Sequence, residues 1–169
     1  MKRPLSYSIG IVALLTILAI WNLSPRGNYD IEFLEKPCIK SLEGKNYLTC
    51  DRIEVMINDD YVVVPNNFKT DLATIPKWYW RFLSPLKIDI VAPSILHDYL
   101  YSCPSYYTRD EIDNIFYNSL KENGVSMLGS YSMFIVARLL GASHFQEIDC
   151  EEPIILIKYL GTFEDDSQF

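Results

Sequence analysis

The hydrophobic pattern of the chain changes character twice. The first 25 residues are mostly apolar, and no charge interrupts the stretch from Pro4 to Pro25. Between residues 31 and 68, β-branched and aromatic residues form short runs with turn-forming residues between them, a pattern typical of antiparallel strands. From about residue 73 to 142, apolar residues recur at helical spacing. We therefore predict an α+β fold, with an N-terminal membrane helix, a small antiparallel sheet and then a bundle of about three helices.

The helical region is expected to contain one helix with clear boundaries. Thr108 and Glu111 have the spacing of a capping box, and Gly124 is placed to end that helix. The helix before it is expected to begin near Pro93, because proline is well suited to the first turn. A third and more apolar helix follows Gly124. A turn is predicted at residues 58–60, between two strands.

The N-terminal segment has the composition of a membrane-spanning helix. Its uncharged stretch is about 22 residues long, close to the roughly 20 that a helix needs to cross a bilayer. A cleaved signal peptide and a buried soluble helix are the alternatives. The first lacks a good cleavage site of small residues, and the second lacks a polar face. Because Lys2 and Arg3 precede the stretch, we expect a single-pass protein with a cytoplasmic N-terminus. The domains are then 1–25, the anchor, and 26–169, exported.

Charge and cysteine content narrow the possible partners. The net charge of −7 disfavours nucleic acid, whose phosphates would be repelled. The four cysteines, Cys38, Cys50, Cys103 and Cys150, allow three pairings. One of these joins Cys38 to Cys50 and Cys103 to Cys150, and four free thiols are the alternative. No C-x-x-C spacing is present, so a structural zinc site is not expected.

The candidate chemistry lies in "ILHDYLY", residues 95–101, where His97 and Asp98 are adjacent. Neighbouring positions on a helix diverge by about 100°, so we expect these two side chains to point in different directions. If the next helix packs antiparallel, Asp113 can approach the His97 ring. A carboxylate on one ring nitrogen raises the basicity of the other, and a water held there becomes a nucleophile. The alternative is a structural histidine in a buried polar network.

Two motifs strengthen the catalytic interpretation. The pattern H-D-x-x-Y, followed after a short loop by R-x-x-x-D-x-x-F, resembles the core of secreted phospholipase A2 over about residues 94–120. The resemblance implies that His97 is the general base for water, that Asp98 is a calcium ligand and that Asp113 orients the histidine. The supporting matches are Tyr101, Arg109 and Phe116. That family also uses a glycine-rich calcium loop before the histidine helix, and this chain has no glycine between Gly44 and Gly124.

A second resemblance covers more of the chain, about residues 62–141. The segments "VPNNFKTDLATIPKW", "APSILHDYLY", "TRDEIDNIFYNSL" and "ARLLG" are similar to a family of small phage and prophage proteins of unknown function. This resemblance implies a viral origin and a small β-plus-α domain, and it singles out Thr70, Asp71 and Pro76. Asp71 has two interpretations. It could cap a short helix near Ala73, or it could join Asp98 in an oxygen-rich site for Ca²⁺ or another metal.

These observations lead to a functional hypothesis with two alternatives. The chain is expected to be a phage-encoded, membrane-anchored hydrolase with a His-Asp centre, acting on lipid. The first alternative is a non-catalytic protein of the virion or host envelope, in which His97, Asp98 and Asp113 form a structural polar network. The second is an inhibitor of a host envelope protein. His144, the other histidine, is interpreted as structural.

Overall fold

The computed structural model describes residues 23–42, 46–72, 88–103 and 107–145, together with Ile11, Thr16 and Trp21. The short helix near Ala73, which Asp71 is predicted to cap, lies outside these residues, as does Pro76. Everything below refers to the described part of the chain.

Within the described residues, six short strands form two antiparallel sheets, where the sequence predicts one. The first sheet has the order β1-β4-β5, and its strands are Ile31–Phe33, Ile53–Ile57 and Asp60–Val64. The second has the order β2-β3-β6, and its strands are Ile39–Ser41, Tyr47–Thr49 and Lys69–Thr70. The strand-forming stretch from residue 46 to 57 divides at residues 50–52, and its two halves join different sheets.

The first sheet covers the main core with one face. Along β4, Ile53, Val55 and Ile57 are buried, and the residues between them are partly exposed. This alternation is what a strand with one solvated face requires. The predicted turn between β4 and β5 is present, and Asn58 adopts a positive φ of 54° there, a conformation that asparagine tolerates better than most residues.

Three α-helices follow, α1 (Ile88–Ser102), α2 (Arg109–Glu122) and α3 (Met127–Leu140), and a 3₁₀ turn (Gly141–Ser143) ends the described fold. With the two sheets, they make an α+β protein. The predicted start of α1 near Pro93 is wrong, because the helix begins at Ile88 and contains the proline. A proline inside a helix removes one backbone hydrogen bond. The burial of Ile90, Val91 and Ile95 around it outweighs that loss.

Helix α2 contacts both parts of the core. Its predicted capping box is confirmed: the Thr108 side chain accepts from the Glu111 backbone N–H, and the Glu111 carboxylate accepts from the Thr108 N–H. Ile112 and Ile115 pack with the first sheet and α1, whereas Phe116 and Leu120 pack with α3. The position of α2 therefore fixes the other two helices relative to each other.

The expectation of a single-pass membrane protein with an exported domain is corrected. Among the residues that the structure describes, no helix is both long and apolar enough to cross a bilayer. Most of the segment for which the span is predicted, residues 1–22, lies outside those residues.

A disulfide joins Cys38 and Cys50, one of the pairings that the sequence allows. The backbone N–H of Cys50 also donates to the carbonyl of Cys38, so the link closes the end of the β2–β3 hairpin. Cys103, next to the end of α1, is disulfide-bonded as well. Cys150 lies outside the described residues.

Candidate functional site

Helices α1 and α2 place the candidate residues against one another. Tyr101 contacts Asp113, and His97, one turn earlier in α1, contacts both Asp113 and Phe116. The contacts advance along α2 as they recede along α1, so the helices are antiparallel. The short connection at residues 103–108 favours this arrangement, and the predicted approach of Asp113 to His97 follows from it.

The His97 ring contacts two aromatic rings and, through one nitrogen, a carboxylate. Its centroid lies 4.1 Å from that of Tyr101 and 4.5 Å from that of Phe116. Nε2 lies 3.3 Å from Oδ1 of Asp113, and only 12% of the His97 side chain is exposed. The ring therefore has little freedom to turn away from the carboxylate.

The other ring nitrogen faces a second carboxylate. Nδ1 of His97 lies 3.8 Å from Oδ1 of Asp98, which is within ion-pair range but too long for a direct hydrogen bond. The hydrogen bonds of the two side chains lead to different elements, that of His97 to Asp113 of α2 and that of Asp98 to Thr70 of β6. Burial alone would lower the pKa of His97, but its hydrogen bond to Asp113 and the charges of both carboxylates outweigh that effect and raise the pKa above 6.5.

Asp113 is a fully buried carboxylate with three side-chain donors. The Tyr101 hydroxyl donates to Oδ1 at 2.5 Å, and Arg138 Nη1 donates to Oδ2 at 3.1 Å. The third donor is His97, also at Oδ1. Burial would raise the pKa of Asp113, but the hydrogen bonds from His97, Tyr101 and Arg138 prevail and hold it below its usual range. Burial likewise raises the pKa of Tyr101, and the negative charge of Asp113 adds to that effect.

Asp98 is connected to the second sheet through Thr70. The hydroxyl of Thr70, at the end of β6, donates to Oδ2 of Asp98 at 2.5 Å, and it accepts from the backbone N–H of Leu72. Burial raises the pKa of Asp98 above its usual value, and the positive charge of a protonated His97 and the hydrogen bond from Thr70 lower it only in part. Asp71 is exposed, and its charge adds to the rise in the pKa of Asp98.

The metal assignment to Asp98 and Asp71 stays a prediction. Within the part of the chain that the structure describes, no three His, Cys, Asp or Glu side chains come together as a metal cluster. The carboxylate of Asp98 is turned toward Thr70 and His97.

Two arginines link the site to α3. Arg109, predicted as a supporting residue, does not contact His97. Its Nε donates to the Tyr101 hydroxyl at 3.2 Å, and its Nη2 donates to the carbonyls of Ala137 and Arg138. It therefore joins the end of α3 to the tyrosine. Arg138, which our sequence reasoning missed as a site residue, contacts Asp113 directly.

A signal for Arg138 was present in the sequence. It is the only charged residue in the apolar helix α3, and a lone charge in such a helix needs a partner. What the pattern could not supply is the identity of that partner, which depends on how α3 packs against α2. His144 is exposed, and its ring nitrogen Nδ1 lies 3.3 Å from the Ser143 hydroxyl, away from the site.

The two sheets, the three helices and the buried His97–Asp113 pair define a small α+β protein with a histidine–carboxylate centre. The chain belongs to the family described as "Protein of unknown function (DUF1353)", whose family model matches residues 50–137. The matched region contains Thr70, all of the α1 site residues and Asp113. No curated protein and no solved structure matches the chain.

Proposed function

We propose that this protein is a hydrolase in which His97 activates water to attack an ester, in the manner of phospholipase A2. The observation that carries the proposal is the pairing of His97 Nε2 with a fully buried carboxylate at 3.3 Å. That carboxylate also accepts hydrogen bonds from Tyr101 and Arg138. A histidine oriented by a carboxylate is the usual arrangement of a general base. The sequence resemblances add the expectations of a lipid substrate and of phage or prophage origin.

The reaction transfers one proton from water to His97 and then from His97 to the leaving alcohol. Nδ1 of His97 would take a proton from a water molecule, and the resulting hydroxide would form a bond to the ester carbonyl carbon. As the tetrahedral intermediate collapses, the bond to the alcohol oxygen breaks, and the imidazolium returns the proton to that oxygen. Asp98, 3.8 Å from Nδ1, would stabilise the imidazolium while it carries the proton.

The surroundings of His97 also support a second, non-catalytic function. Because both nitrogens of His97 face carboxylates, the residue could serve only to balance buried charge. The protein would then be a non-catalytic component of a virion or host envelope, and the site would be a structural polar network.

The experiment compares the full chain with H97Q and H144Q. Release of fatty acid from phospholipid vesicles and of alcohol from a soluble ester is measured with calcium and with a chelator. We expect H97Q to lower the rate about 10²–10⁴-fold, the range that general-base catalysis supplies. H144Q, which changes the other histidine, should not affect the rate. We expect little calcium dependence, because the chain lacks a glycine-rich calcium loop.

Two outcomes would end the proposal. One is a well-folded wild-type protein that hydrolyses neither substrate under any of these conditions, which would leave the structural network as the better account. The other is an H97Q protein that hydrolyses as fast as H144Q.

A further inference from the structure

Arg138 connects the buried carboxylate of the site to the protein surface. Its side chain is 15% exposed, and Nη1 bridges two carboxylates of α2. One is Asp110, 2.5 Å away and 62% exposed at the surface. The other is Asp113, 3.1 Å away and fully buried. The solvated end of this bridge resembles a surface ion pair, which contributes little, whereas the buried end involves a carboxylate that water cannot satisfy.

The two oxygens of Asp113 have different partners. Oδ1 faces α1, where His97 and Tyr101 contact it, and Oδ2 faces α3, where Arg138 donates to it. If the guanidinium were removed, Oδ2 would be a buried acceptor without this donor. A buried acceptor in that position costs free energy, so the carboxylate would turn to share its remaining donors. Oδ1 would then move relative to the histidine ring.

The end of α3 that carries Arg138 is in turn held by an arginine of α2. Arg109 of α2 donates to the backbone carbonyls of Ala137 and Arg138, and it also donates to Tyr101. Each of the two helices thus contributes one arginine to the other. The end of α3 is held at the place where its own arginine reaches Asp113.

We propose that Arg138 is a positioning residue of this site, which fixes the Asp113 carboxylate so that Oδ1 faces Nε2 of His97. The proposal deepens the proposed function. The expected loss of kcat rests on that function, whereas the expected change in the orientation of the Asp113 carboxylate does not. The claim concerns the orientation of one carboxylate, so it can be read at the histidine ring whether or not the protein is catalytic.

The test uses full-length R138Q, R138K and, as matched control, R52Q. Arg52 forms an ion pair with Glu54 at 2.7 Å on β4 and is 70% exposed, so R52Q removes an arginine that does not contact the site. The ring ¹⁵N chemical shifts of His97 are recorded in histidine-labelled protein at one fixed pH, with H144Q used to assign the two histidines. The kcat for the soluble ester is measured on the same samples.

We expect R138Q to shift the Nε2 resonance of His97 and to lower kcat about 10–100-fold, in the range that a misplacement of about 1 Å produces. R138K restores the cation but not the planar fork of the guanidinium, so it should lie between wild type and R138Q in both measurements. R52Q should match wild type. If R138Q does not fold, R138K decides the question by the same two measurements.

Several results would overturn the positioning role. One is a Nε2 resonance in R138Q that coincides with that of wild type, whatever happens to kcat. Another is a shift of this resonance in R52Q as large as the shift in R138Q. When R138K alone can be studied, a Nε2 resonance and kcat equal to wild type would do the same. If wild type shows no hydrolysis, the proposed function fails and the ¹⁵N shifts alone decide the role of Arg138.

Discussion

His97 packs against two aromatic rings and also pairs with two carboxylates, so it combines the features of a core residue and of a site residue. Residues four apart on a helix are neighbours, so the spacing of His97 and Tyr101 places both on one helix face. The approach of Asp113 to His97 followed from the expected antiparallel packing of the next helix. Arg138 did not, because its contact with Asp113 spans 25 positions of sequence and is set by tertiary packing.

At the residue scale, Tyr101→Phe tests the support of Asp113. The change removes a hydroxyl that donates to this buried carboxylate, so we expect a loss of about 1–3 kcal/mol in the free energy of unfolding and a lower rate of ester hydrolysis. Tyr107→Phe is the matched control, because its hydroxyl donates to Asp60 at 2.6 Å on the sheet side of the fold. Denaturant unfolding and ester hydrolysis are measured for both. A rate that falls equally in both variants would contradict a specific role for Tyr101.

At the scale of elements, local signals predicted α2 and its partner better than they predicted the sheets. The capping box of α2 is a local feature, and it is present as predicted. The division of the strands into two sheets was not predictable from alternation, because β3 and β4 lie close together in sequence but choose different partners. The start of α1 was missed because burial of its first turns overrides the usual position of proline.

The junction of α3 with α1 gives a prediction at this scale, through Gly141→Ala. A Cβ added at Gly141 would lie 2.9 Å from the hydroxyl oxygen of Tyr101, which Arg109 and Asp113 hold in place. We expect overpacking to lower the free energy of unfolding by about 1–3 kcal/mol and to reduce hydrolysis. Ala142→Ser adds one atom in the same turn at an exposed position and should change neither. A Gly141→Ala protein as stable and active as wild type would contradict this prediction, because it would show that the Tyr101 side chain can move to make room for the added Cβ.

For the whole molecule, the fold brings buried charge from three helices to one place, whereas the sequence indicated only the α1–α2 part of it. A buried histidine without charged neighbours has a lowered pKa, because burial disfavours the imidazolium. Here the two carboxylates outweigh the effect of burial, and the pKa of His97 is raised. The raised pKa of His97 affects the stability of the whole protein, because a group with different pKa values in the folded and unfolded states makes the free energy of unfolding depend on pH.

The measurement that tests this account most directly is the free energy of unfolding of wild type, H97Q and H144Q between about pH 5.5 and 8.5, a window that spans the ordinary histidine pKa of about 6.5. The folded-state pKa of His97 is raised above 6.5, so its stabilising contribution is fully present below pH 6.5 and is lost as the pH rises through the folded value. We predict that wild type and H144Q lose stability as the pH rises through this window, and that H97Q loses less. Stability that increases with pH in wild type, or an H97Q slope as steep as that of wild type, would contradict a histidine held as a base by two carboxylates.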